Sequence, residues 1–565
     1  MALMSSLYVG NSGLQTSQNA LNTTAHNLSN IETKGYVRQQ VLLGDRTYNS
    51  VGTIASISPQ QQGLGVEYSK SRQVRDYFLD LSYRRESGRG SFYDICYETT
   101  NELENQLGEL NGAAFADAID GMWTAVEELQ KDPSSSVNQG QFVAKCSEFI
   151  QRAQSVYNGL QDYQDNLNAR VKDMVDKIND IGEKIVGLNT KILTIELGCE
   201  EANDLRDERN NLLDELAGYT NMTYTEDIDG VVEVAIEGMT FVVRGTNRPF
   251  EMGYIMDNTT GFYTPTWPYA GNDPVFNNLN EEICTANNTN IGELKSLVLA
   301  RGDRRANYTD ISSEYYDSET GKTVDLYNDG ATDKMATANS IVMNAMAELD
   351  QLVHKMVTDM NDILAGEQSQ IQSGTNPTYD SEKKCAYELF ERIGSERYEL
   401  NGSGQYEYVS EDTSRSPSDI STMYSITNLR INPDLLKTPS LLGYPDAAMT
   451  RADGSVDQTK ADALADAFAN ESMVLNPNVT KISNYRTYYS DMVSQQASAG
   501  SVYKSFSEAQ ALTVDSLDDS RQQIMGVDSN EELSNMIKFQ NAYNASSRFI
   551  NAVSEMLDHL IQKLG

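Results

Sequence analysis

Three histidines are spread across 565 residues, at positions 26, 354 and 559, and they are the side chains most suited to metal ligation or proton transfer near neutral pH. His26, His354 and His559 are widely separated and none belongs to an H-E-x-x-H pair, so the spacing offers no zinc hydrolase site. Gly63-Leu64-Gly65 starts like a dinucleotide-binding loop, but Tyr68 stands where the third glycine would let a pyrophosphate approach. No complete G-x-x-x-x-G-K-[ST] phosphate loop occurs. Asp325 to Gly330 is acidic enough for calcium, yet Tyr327 fills a ligand position and Ala336 replaces the bidentate glutamate of an EF-hand. The five cysteines (Cys96, Cys146, Cys199, Cys284, Cys385) are odd in number and far apart, with no C-x-x-C pair, and read as buried or incidental thiols. Carboxylates abound, but nothing singles out a glycosidase pair. The residues therefore assign no catalytic group, metal or cofactor, and the expected protein is not an enzyme.

The elements that remain must then work by shape and contact. The net charge of −38 would repel nucleic acid and anionic lipid. No run of 18 apolar residues occurs, so no span is expected, and the first 31 residues have neither basic residues nor an unbroken apolar stretch to read as a cleaved signal. A cytoplasmic protein, or one taken by a dedicated export machine without cleavage, fits that reading.

The two ends of the chain carry the clearest pattern. Leu7, Leu14, Leu21 and Leu28 recur every seven residues, and Gly10, Ser17, Thr24 and Ile31 fall three later, a narrow stripe that wants a partner helix. The opposite face is rich in Asn and Gln and bears no charge before Glu32, as a helix crowded by like copies would. The alternative is an N-terminal helix on an ordinary core. Helix formers are scarce, so the segment is expected to order only when packed. At the far end Met536, Tyr543, Ile550, Leu557 and Leu564 are spaced by seven, with Phe539, Ser546, Val553 and Leu560 three later. Asp528 and Ser529 offer N-caps, and Glu531 and Glu532 suit the first turn. Residues 1–31 carry no charged side chain, and after Ser529 four acidic against three basic residues leave −1, so −37 lies in residues 32–528. The sequence thus predicts an antiparallel two-helix stalk, nearly neutral, below an acidic middle.

Between the ends, residues 36–75 read as β-hairpins or extended chain. A helix is expected over roughly 76–131 with a break near Gly112 and an end at Asp132-Pro133. Leu167, Val171, Met174, Ile178, Ile181, Ile185, Leu188, Ile192 and Ile195 alternate steps of four and three, which we read as the core stripe of a helical domain. After Leu216 the period becomes two, with turns at Asp229-Gly230 and Glu237-Gly238, a β-meander. Further helices are expected near 291–300, 334–365 and 479–525. The expected fold is α+β and multidomain. A terminal coiled-coil stalk (1–60 plus 526–565) carries a helical body (61–220 plus 481–525). A β-rich outer domain with a long helix (221–365) and a second inserted outer domain (366–480) complete it.

Residues 25 to 39, with Asn27, Asn30, Thr33, Gly35, Tyr36, Arg38 and Gln39, resemble the N-terminal signature of flagellar rod, hook and hook-associated axial proteins, departing at His26, Ser29 and Lys34. Gly63-Leu64-Gly65-Val66 followed by Arg72, Arg75, Asp76, Phe78, Leu79 and Arg84 is similar to the stretch that marks the hook-associated protein 1 (FlgK-type) family. Asn203-Asp204-Leu205 with Arg209 is similar to that family's helical domain, and Asn530 to Arg548 to its ending. The resemblance implies export through the flagellar type III apparatus without signal cleavage, with a chaperone on the C-terminal helix. It further implies self-assembly into a ring at the hook tip, between the hook protein and a second hook-filament junction protein. Another axial protein (hook protein, third hook-associated protein or flagellin) would share the stalk. An extracellular adhesin or carbohydrate-active protein carried in residues 220–480 is the reading from a different class.

Overall fold

The computed structural model describes the chain apart from residues 1, 47–48, 51–60, 63, 108–114, 199, 278, 280, 312–313, 318–321, 326–339, 366–387, 397, 401–405, 413–418, 443–457, 477–478, 480 and 565. The acidic loop after Asp325, the expected break near Gly112, Gly63, Cys199, Cys385 and the whole stretch 366–387 lie outside the described residues.

The described helices are α1 (Ala2–Ser29), α2 (Tyr77–Leu107), α3 (Phe115–Lys131), α4 (Ser136–Glu196), α5 (Asn203–Tyr219), α6 (Glu293–Arg301), α7 (Ile341–Ala365), α8 (Pro433–Lys437), α9 (Thr459–Ala469), α10 (Tyr485–Met525) and α11 (Ser529–Leu564). Their ends follow local chemistry. Ser135 caps α4 by accepting a hydrogen bond from the Asn138 N–H, and Asn484 and Thr487 cap α10 reciprocally. Asp528 accepts from the N–H groups of Asn530 and Glu531 at the head of α11.

Helix α4 runs 61 residues, about 90 Å at 1.5 Å per residue, and is the spine of the body. Its stripe from Leu167 to Ile192 is buried throughout, and only Ile195 at its end is 38% exposed. One continuous apolar core gathers α2, α3, α4, α6, α7, α9 and the first turns of α10. Burial of this extent is the main favourable term for the body.

The strands form small separate sheets. Val232–Ile236 lies between Met222–Glu226 and Met239–Val242, and Tyr263–Trp267 lies between Gly253–Met256 and Asp273–Pro274, all antiparallel. Phe390–Arg392 pairs with Leu429–Ile431. The inserted β-rich outer domains expected from the sequence are not confirmed: the described strands contribute side chains to the helical core. Tyr224, Val234, Phe241, Trp267, Phe390 and Leu429 all belong to the cluster built on α4 and α7.

Asparagines supply the physical reason. An amide side chain has the same donor and acceptor as a peptide group, so on a helix it can stand in for a neighbouring strand. Asn189 donates to the Val232 carbonyl (2.8 Å) and accepts from the Val232 N–H (3.2 Å). Asn179 makes the same pair with Met252 (2.8 and 2.9 Å). Asn168 bonds the Gly261 carbonyl and the Tyr263 N–H, and Asn361 on α7 does so for Phe390. Residues 168, 179 and 189 are about three turns apart and so share one face of α4. They clip two sheets to the buried, mainly apolar face of α4.

Candidate assembly stalk and its junction with the body

Helices α1 and α11 lie side by side, so the two chain ends do form one stalk. The contact is rotated from the expected leucine seam. Gly10, Ser17, Ala20, Thr24 and Asn27 are buried, whereas Leu7, Leu14, Leu21 and Leu28 are half-buried and Ile31, past the helix end, is 42% exposed. The cause is close approach. A Cβ on Gly10 would stand 2.7 Å from Ile550 Cγ1, and one on Gly13 would stand 2.7 Å from Ser546 Oγ. Small residues let the helix axes draw together, and the leucines are left at the border of the contact. On α11, Val553 is buried and Met536, Phe539, Tyr543, Ile550 and Leu557 are half-buried on the side toward α1. Leu560 is 43% exposed, and the side chain of Leu564 lies outside the described residues. Leu533, Ile537, Phe549, Met556 and Ile561 are exposed. Both helices therefore keep apolar surface uncovered in the single chain.

Where the stalk meets the body, Asn27 is the node, at 1% exposure. Its Nδ2 donates to the Gln39 carbonyl (2.9 Å), and its Oδ1 accepts from the Gln39 N–H (3.0 Å) and the Tyr36 hydroxyl (2.8 Å). The Glu532 carboxyl of α11 is hydrogen-bonded by Asn27 and Thr24, and burial pushes it above its ordinary range. The chain reverses through Asn30, which bonds the His26 carbonyl, and Thr33, which bonds Asn30. Gly35 has φ 77°, and any Cβ there would meet the Asn211 side chain at 1.9–2.4 Å. Arg38 ties three parts together: its N–H donates to the Met525 carbonyl (2.8 Å), its carbonyl accepts from Val74, and its guanidinium pairs with Glu531 at 2.6 Å.

Asp207 of α5 receives the Val37 N–H on one oxygen (3.1 Å) and Gln73 Nε2 on the other (2.6 Å). Burial pushes it up to about 7, opposed by the Val37 N–H, the Arg75 guanidinium and Gln73. The strand Gln39–Asp45 pairs with Val66–Gln73, and this hairpin lies along α1. Gly65, at φ 94°, is needed because a Cβ would stand 2.1 Å from Ser12 Oγ.

Beneath the hairpin, five charges alternate in a buried row. Arg75 pairs with Asp80 (2.5 Å), Asp80 with Arg521 (2.9 Å), Arg521 with Asp214 (2.7 Å) and Asp214 with Arg84 (2.6 Å). The row joins α2, α5 and the end of α10. Tyr83 and Tyr224 cover the guanidinium groups of Arg521 and Arg84. Asp76 caps α2 through the N–H groups of Phe78 and Leu79, while Phe78 itself is 79% exposed.

Among the described residues no group of three His, Cys, Asp or Glu side chains could hold a metal ion, and no helix is long and apolar enough to cross a membrane. His26 faces Asp204 at 3.3 Å and His354 faces Glu411 at 3.0 Å, and Glu411 also accepts from the Tyr308 hydroxyl and the Tyr424 N–H. Sequence reasoning missed Asp80, Asp207, Asp214 and Arg521, because isolated charges in so acidic a chain carry no local signal. It also missed the packing role of Gly13 and Ala20, for which a 3-4 spacing of small residues (10, 13, 17, 20, 24) was the available sign.

Paired terminal helices joined to a separate helical body define the class, that of the flagellar axial proteins. Family comparisons agree: residues 7–36 match "Flagella basal body rod protein" and residues 521–563 match "Flagellar basal body rod FlgEFG protein C-terminal". Residues 100–376 match "Flagellar hook-associated protein FlgK helical domain". The flagellar hook-associated protein 1 of Bacillus subtilis (strain 168) is 21% identical over 560 residues, covering 98% of this chain and 96% of that protein. Proteins of the same name from Salmonella typhimurium and Escherichia coli (strain K12) are 22% and 23% identical, over 97% of this chain and 98% of each. The solved flagellar hook junction protein FlgK from Burkholderia pseudomallei superposes with a TM-score of 0.51 at 13% identity, over 78% of this chain and 99% of that one. The chain belongs to the FlgK-type hook-associated proteins.

Proposed function

We propose that this chain is a structural junction protein of the bacterial flagellum that self-assembles at the hook tip and adapts hook to filament. The observation that carries the reading is the two-ended stalk. Its helices bury a seam of small residues between them yet leave apolar side chains exposed on both, a surface that copies of the same chain can cover. Chemistry is not required of it; fit is. Heterologous contacts between copies close a ring or continue a helical lattice, and the apolar surface buried offsets the ordering entropy.

The partners of the proposed junction are the hook protein below and a second junction protein above, with an export chaperone holding the C-terminal helix before assembly. Export would proceed without cleavage of a signal peptide. Cells lacking the gene should carry hooks that shed their filaments, and purified protein added to those hooks should restore filament growth. Unchanged filament retention in the deletion strain would sink the reading.

A further inference from the structure

At the stalk-body junction the chain carries two features with no partner in the single molecule. The first is a groove of about 650 Å³ between α1, the strand Val66–Gln73 and the turn from α4 into α5. Ile195 lines it, and Leu197 beside it is 75% exposed. Its wall carries Glu200, Glu201 and Asp204 opposite Lys70 and the His26 imidazole. Lys70 is taken up by Glu201 at 2.8 Å and His26 faces Asp204, while Glu200 has no cation within ion-pair distance among the described residues. The groove is thus an apolar lip over an unneutralised carboxylate.

The second feature is a knob on the first turns of α2. Phe78 is 79% exposed, Leu81 36% and Arg85 53%. Positions 78, 81 and 85 follow steps of three and four, so all three project from one helix face. Arg85 bonds Glu86, but that carboxylate also receives Arg89 and Gln510, which leaves Arg85 with donors to spare. An aromatic ring with a guanidinium two turns away on the same face is a composition that anchors protein interfaces.

We propose that the Phe78-Leu81-Arg85 knob of one copy docks in the junction groove of a neighbouring copy, with Phe78 against Ile195 and Leu197 and Arg85 paired to Glu200. Charge and polarity match on both sides. The strand that lines the groove leads within a few residues into the helix that bears the knob, so the two features lie in one tier of the molecule. A knob and a groove on different surfaces make a heterologous contact, which is the kind that builds rings. The proposal rests on the self-assembly reading above and adds a lateral contact outside the stalk.

The test uses the full-length chain bound to isolated hooks that lack it, with occupancy counted by electron microscopy and folding checked by circular dichroism. F78A, R85E and E200R should each fold as the unsubstituted chain does and lower the affinity for a complete ring by roughly tenfold or more. The R85E/E200R chain, with the charges exchanged, should regain occupancy. In a background with the native cysteines replaced, mixing F78C with L197C chains on hooks should give crosslinked dimers only when both are present. Full occupancy by F78A and E200R, or crosslinks from position 78 only to a different flagellar component, would overturn the knob-in-groove contact and leave the junction function intact. Failure of the unsubstituted chain to bind hooks would instead overturn the functional reading and this contact with it.

Discussion

At the scale of single residues, a few buried polar side chains decide how the stalk is held. Asn27 satisfies both backbone groups of Gln39, the Tyr36 hydroxyl and the Glu532 carboxyl at once. Asn27→Ala would strand those groups, at a cost of about 1–3 kcal/mol for each one left unsatisfied. Amide exchange at Gln39 and along the base of α1 should accelerate by at least tenfold, while α4 amides stay protected; equal exchange in both proteins would refute the node. Glu348 makes a different prediction. It is fully buried on α7, accepts from Asn476 at 3.0 Å, and burial pushes it up to about 8 from 4.5. The folded chain then holds a proton that the unfolded chain has lost, so this group's contribution is complete below about 4.5 and falls as pH rises toward about 8. Relative to the parent, Glu348→Gln should gain stability progressively across that window, by up to a few kcal/mol at ~1.4 per pH unit. Denaturant melts of both proteins at pH 5 and pH 8 check it, and a constant difference would refute it.

Between elements, small residues and amides do what apolar stripes alone do not. Periodicity predicts the existence of α1 and α11 but not their rotation, which is set by Gly10 and Gly13 admitting the Ile550 and Ser546 side chains of α11. Gly13→Leu should therefore splay the stalk. The seam near Ser546 should lose exchange protection while the melting of the body stays within about 2 °C, since the two contacts share no residues. A cooperative loss of the body with the stalk would contradict that independence. The same logic explains the sheets. Asn168, Asn179 and Asn189 read in the sequence as polar interruptions of a coiled-coil helix, and only the fold reveals that each completes a strand's hydrogen bonding. Strands clipped to a helix need no core of their own, so an alternating pattern such as the one after Leu216 does not by itself mark an outer domain.

For the molecule as a whole, charge and burial are divided. Nearly all the net negative charge belongs to the part between the stalk helices, and the apolar core runs from α2 to the start of α10. Beyond Met492 the C-terminal helices are largely exposed, with Met525, Glu532 and Val553 among the few buried side chains. Limited proteolysis of the monomer should remove about residues 1–35 and 528–565 first and leave a resistant body. Protected ends in the monomer would contradict a stalk that depends on neighbours for its burial.

The sequence by itself determined the local choices: the long helices, the capped start of α11, the core face of α4 and the axial signature. Each of these depends on residues within a few turns of one another, so spacing is enough to read them. Tertiary structure alone decided the face of α1 that meets α11, the row of charges linking Arg75, Asp80, Arg521, Asp214 and Arg84, and the merging of sheets into the helical core. Those features join residues tens to hundreds of positions apart. A lone arginine, asparagine or glycine has no periodic signature, and its role exists only once the fold supplies the partner.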